Sequence, residues 1–124
     1  MRTSWWYMTR RADAAYLQDI VEAAEHIAAY LTGLDYEAFS SQPMIQDGVT
    51  FRLEVIGEAC RGLSNAFRLL HPEVPWEAMI GMRNRLIHGY FDVDVRVVFD
   101  TATIDVPELL NVVREWLRHM PGEH

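Results

Sequence analysis

Eight apolar residues, Ile45, Val49, Leu53, Ile56, Cys60, Leu63, Phe67 and Leu70, recur in steps of four and three without interruption. A strand turns its side chains over every second residue, so a stripe of this period marks one buried face of a helix. The spacing predicts a helix from about Gln42 to Leu70. A helix this long with a single apolar side is buried by antiparallel neighbours, which makes a helical bundle the fold to expect.

The neighbours can be read from the same period. Tyr16, Leu17, Ile20, Val21, Ala24, Ile27, Ala28 and Leu31 predict a helix from about Thr9 to Thr32, with Gly33 behind it as the stop. Tyr36 to Phe39 suggest a short connecting turn of helix before Pro43 opens the next element. His71-Pro72-Glu73-Val74-Pro75 is a rigid corner, because its two prolines block helix through that stretch. His71 reads as a helix C-terminal cation rather than as a catalyst. A third long helix follows from about Pro75 to His88 and ends at Gly89. Asp94 is a plausible N-cap for the fourth, which carries Val98, Phe99, Ala102, Leu109, Leu110, Val113, Trp116, Leu117 and Met120 on one side and should bend at Pro107. The expected fold is all-α, an up-and-down bundle of four main helices plus a short connecting helix. One domain over 9–120 is expected, between an N-terminal extension (1–8) and a frayed tail (121–124). Trp5, Trp6 and Tyr7 are expected to pack on the surface of the domain.

All 11 basic residues are arginine, and the formal charge is −7. A net-negative chain is a poor indiscriminate ligand of nucleic acid, since such binding comes from neutralising phosphates. A polyanion would have to meet a local arginine cluster, and Arg83 with Arg85 is the densest in the interior of the chain. The one cysteine, Cys60, lies on the apolar stripe, so neither an intrachain disulfide nor a thiolate metal site is expected. No apolar run approaches membrane-spanning length and no signal-peptide core is visible, so the expected location is cytoplasmic with no membrane association.

The chemistry concentrates in Gly81-Met82-Arg83-Asn84-Arg85-Leu86-Ile87-His88-Gly89-Tyr90-Phe91. A core does not need two arginines, an asparagine, a histidine and a tyrosine in eight positions. At about 100° per residue, Asn84 stands over His88 on one helical face, while Arg83 and His88 diverge by about 140°. Asn84 is therefore expected to fix the His88 ring, and Arg83 to reach round or to act across a subunit boundary. Glu54, Glu58 and Arg61 form a second, polar stripe on the preceding long helix. No P-loop, Gly-rich nucleotide fingerprint, HExxH or carboxylate cluster at metal-ligand spacing is visible, so no cofactor and no metal is expected. An imidazole and a guanidinium suit phosphodiester cleavage, one taking the proton of a ribose 2′-hydroxyl and the other balancing charge on phosphorus. A purely structural reading stands beside this one, with Arg83 paired to Glu54 or Glu58, His88 as a helix cap and Tyr90 as a core aromatic.

Arg83, four residues, His88, one residue, Tyr90 resembles the R-x4-H-x-Y signature of HepT-type toxins of the HEPN superfamily. The resemblance extends over Leu53-Glu54-Val55-Ile56-Gly57-Glu58-Ala59, His71-Pro72-Glu73-Val74-Pro75-Trp76 and Phe91-Asp92-Val93-Asp94, and covers roughly residues 9 to 118. It implies an endoribonuclease toxin that leaves a 2′,3′-cyclic phosphate, with Arg83 and His88 catalytic and lining the cleft of a homodimer. Asn84, Glu54 and Glu58 would support them, and Arg85 would bind RNA phosphate. It further implies a nucleotidyltransferase antitoxin of the MNT type that transfers AMP to Tyr90 and so blocks the cleft. The alternative is a non-enzymatic nucleotide- or substrate-binding module that works with a nucleotidyltransferase.

Overall fold

The computed structural model describes the backbone of residues 2–88 and 94–119, and the side chains of 9–88 and 94–119. Four long helices carry the fold: α1 (Arg2–Tyr30), α3 (Pro43–Gly62), α5 (Trp76–His88) and α7 (Val106–His119). Three short ones join them: α2 (Tyr36–Ser40), α4 (Asn65–Leu70) and α6 (Val95–Asp100). No strand occurs among the described residues, as the apolar period requires. α3 lies at the centre, packed between α1 and α5, and α7 closes over α1. Leu17, Ile20 and Ile27 of α1 meet Val49, Leu53, Ile56 and Cys60 of α3 and Val106 and Val113 of α7 in a continuous core.

α1 begins at Arg2 rather than Thr9, because nothing between Met8 and Thr9 breaks a helix. The side chains of Trp5, Trp6 and Tyr7 lie outside the described set. At the other end Gly33 takes φ +75°, the left-handed conformation that suits glycine after a helix C-terminus. Asp35 then caps α2 by accepting from the Ala38 amide at 2.8 Å, and the fully buried ring of Phe39 anchors that short helix.

The long helix expected from Gln42 to Leu70 is two helices. α3 stops at Gly62, and α4 restarts at Asn65 with Ser64 as its N-cap, the Ser64 hydroxyl accepting from the Phe67 amide at 3.1 Å. Buried Asp13 of α1 fixes the joint, accepting from the Ser64 amide at 2.8 Å and from its hydroxyl at 2.7 Å. Leu63 and Phe67 are buried on either side of the joint, so the stripe runs on although the helix does not. Leu70, at its end, is 65% exposed. His71 occupies the C-cap of α4, and its backbone carbonyl receives the Trp76 indole N–H at 3.0 Å.

Asp94 is the N-cap of α6, accepting from the Arg96 amide at 2.8 Å. Pro107 is accommodated one turn before its own position. Residues Thr101–Asp105 form a π turn in which the Val106 amide donates to the Thr101 carbonyl. The wider turn relieves the clash a proline ring makes in the preceding helix. Gly89, Met120 and the tail from 121 lie outside the described residues. No described helix is long and apolar enough to cross a membrane.

Candidate active site

Met79, Met82 and Leu86 bury one side of α5 in the core. The remaining positions of its last two turns point outward, so the helix ends in a row of polar groups. Arg83 is the most enclosed, with 20% of its side chain exposed. Asn84, Arg85 and His88 are exposed.

Two neighbours hold the Arg83 guanidinium. Its Nη2 lies 3.2 Å from Oε1 of Glu58 on α3, and its Nη1 donates to Oδ1 of Asn84 at 2.8 Å. Asn84 therefore orients Arg83, not the His88 ring as the one-over-the-other placement suggested. Its short amide meets the guanidinium of its immediate neighbour once Glu58 has drawn that group across the face of α5. Glu58 also lies 3.5 Å from Arg61, so one exposed carboxylate joins two arginines and has as its second partner the charge it was expected to support. The outcome combines two readings: Arg83 is ion-paired within its own chain, yet its partner Glu58 is exposed.

Arg83 and Glu58 form part of the wall of a groove of about 300 Å³ on the outer face of α3. Glu54 lines it too, half-buried and not paired with Arg83 among the described residues. Asp19 of α1 adds a third carboxylate, and the remaining surface is apolar, including Phe51 and Ile87. Phe51 is 56% and Ile87 41% exposed. Sequence reasoning missed these two; an apolar residue on the polar side of each helix was the available signal. Tyr90 lies outside the described residues. Among the described residues no trio of His, Cys, Asp and Glu is placed to hold a metal ion.

The structure is thus an all-α bundle that gathers arginine, asparagine and histidine at one helix end, beside a carboxylate-lined groove. The chain belongs to the HepT-like ribonuclease family, whose model matches residues 20–116. It is 44% identical to "Probable ribonuclease HepT" of Thermococcus cleftensis over 81% of this chain and 91% of that protein. It is 40% identical to a protein of Methanocaldococcus jannaschii named provisionally as an RNase, over 82% of this chain and 94% of the relative. A Caldanaerobacter subterraneus protein with a similarly provisional RNase name is 37% identical over 83% of this chain and 92% of its own length. No solved structure gives a significant match.

Proposed function

We propose that this protein is an endoribonuclease toxin of a toxin–antitoxin pair, active as a homodimer. His88 takes the proton from a ribose 2′-hydroxyl, the freed oxygen attacks the adjacent phosphorus, and the 5′-oxygen of the next nucleotide leaves with a proton. The products are a 2′,3′-cyclic phosphate and a free 5′-hydroxyl. Arg83 balances the charge on the phosphoryl oxygens, with Asn84 and Glu58 holding its guanidinium and Glu54 behind them, while Arg85 meets a neighbouring phosphate. The nucleophile belongs to the substrate, so this route calls for no metal and no cofactor and is closed to DNA.

One observation carries this reading: α5 presents a guanidinium held by an exposed carboxylate and an amide, and the same helix ends in an exposed imidazole. A phosphate can replace Glu58 on Arg83, because Glu58 is 57% exposed and has Arg61 as its other partner. One imidazole cannot serve as both base and acid in a single step, and a second copy supplies the other. The apolar groove residues Phe51 and Ile87, beside Arg83, suit that contact. Tyr90 is the residue that an MNT-type nucleotidyltransferase antitoxin would modify with AMP, which would bring further phosphates to the arginines and obstruct His88.

The test is cleavage of total RNA by wild type, Arg83→Ala and His88→Ala, with end-group analysis. Wild type should yield 2′,3′-cyclic phosphate ends, and each variant should lose about 10²- to 10⁴-fold. Binding of RNA by wild type without cleavage would instead favour the non-enzymatic module. With the antitoxin and ATP present, intact mass should rise by one AMP on wild type and not on Tyr90→Phe.

A further inference from the structure

Gly57 lies on the buried side of α3, directly beneath Arg83. A Cβ at this position would sit 2.2 Å from Arg83 Cβ, 2.9 Å from the Met79 carbonyl oxygen and 3.0 Å from Arg83 Cγ. These are not tips of side chains that could swing aside. One is the root of Arg83 and another is backbone of the preceding turn of α5. Two helices meet here with no side chain contributed by α3, and the residue seated at the contact is the arginine of the proposed site.

The other described glycines differ. The nearest atoms to a Cβ at Gly48 or Gly62 belong to the ring of Tyr30 or Tyr16, and at Gly33 and Gly81 nothing lies within 4 Å. The contact at Gly57 therefore belongs to one place on α5. It also explains how deeply Arg83 is set. Among the described residues its Nε is buried without a hydrogen-bond partner, while its two Nη atoms reach Glu58 and Asn84. Packing of the stem against bare backbone, rather than a bond to Nε, sets the height of the guanidinium. Glu58, its carboxylate partner, is the residue next to Gly57, so one short piece of α3 supplies both the floor and the charge.

From this geometry we propose that Gly57 is a positioning residue for Arg83: its missing side chain seats the arginine so that the two Nη atoms face the groove. The inference rests on the reading of Arg83 as the group that stabilises charge on phosphorus. Any side chain at position 57 lifts or turns α5 and carries the guanidinium off its target, while RNA still meets the unaltered exposed surface. Displacements of about 1 Å at a catalytic group can cost about 10²-fold.

The test is a double-mutant cycle with Gly57→Ala, Arg83→Gly and the two combined, read as cleavage and as urea unfolding midpoint. Gly57→Ala should lower kcat by about 10- to 100-fold with KM changed less than about threefold, and should add no further loss once Arg83 is glycine. Gly81→Ala, on the open side of α5, should cleave within about twofold of wild type. Losses that multiply in the double variant would overturn the proposal, since Gly57 would then act on the fold at large. The unfolding midpoint covers the case in which Gly57→Ala folds poorly. Removing Arg83 Cβ should recover part of the stability lost at position 57, the contact with the Met79 carbonyl remaining, and an equal loss in both backgrounds would overturn the contact itself. Failure of wild type to cleave any RNA would strike the ribonuclease reading, while the unfolding cycle would still report on the seat.

Discussion

Arg83 is held by three neighbours of different kinds: a carboxylate, an amide and a residue with no side chain. The spacing from Arg83 to His88 was legible in the sequence, because a helix converts five residues into a fixed angle. The partner of Asn84 was not, because helical angle alone cannot say whether a short amide meets a ring one turn away or a guanidinium next door. Cys60 is the residue whose fate the stripe foretold most fully. It is buried without contact to solvent, and burial pushes its thiol from the ordinary 9.0 up to about 12, although Arg68 pulls the other way. A thiol whose pKa is raised in the folded state leaves stability untouched below the unfolded value. Stability is lost as pH climbs from about 9 towards 12, where only the unfolded chain gives up its proton, at up to about 1.4 kcal/mol per pH unit. Urea midpoints should therefore fall more steeply above pH 9 in wild type than in Cys60→Ala.

At the scale of the element, the joint between α3 and α4 is where sequence reasoning failed, and the failure has a cause. Leu63 and Phe67 are four apart and both buried, so the apolar period cannot distinguish continuous helix from two helices sharing a face. The break is instead set by Asp13, 51 positions away along the chain. No local pattern announces that pairing. Asp13→Ala should cost about 1–3 kcal/mol, since two Ser64 donors lose their acceptor in a partly buried place. Chemical unfolding measures this, and Asp13→Asn should recover part of the loss, because its carbonyl can still accept one of the two bonds. The caps at Asp35 and Asp94 show the opposite case. There the acceptor lies within three residues of the amide it serves, and Asp94 was foreseen from sequence for that reason.

On the scale of the whole molecule, four amphipathic stripes were enough to predict the bundle, and the groove beside Arg83 was not foreseen. It arises because α1 and α5 stand as ridges on either side of α3, which no single stripe encodes. Its lining mixes Phe51 with Glu54 and Glu58, an exposed apolar strip edged by carboxylates. On the proposed twofold this strip lies between two copies. Phe51→Glu would then place another charge where the copies meet, and sedimentation should change from dimer to monomer while the helical circular dichroism spectrum stays as in wild type. Cleavage should be lost with the dimer, because each copy keeps its own His88 and lacks the second.

The π turn before Pro107 sets a rule for chain length. A helix that spends one extra residue on a turn rotates everything beyond it by about 100° relative to an unbroken one. Val106, Leu109 and Val113 point into the bundle in that rotated setting. Shortening Thr101–Asp105 by one residue would straighten the rod and swing those three away from their seat. Homologues with a tidier helix here would have to relocate their greasy residues by one position to keep the same lid.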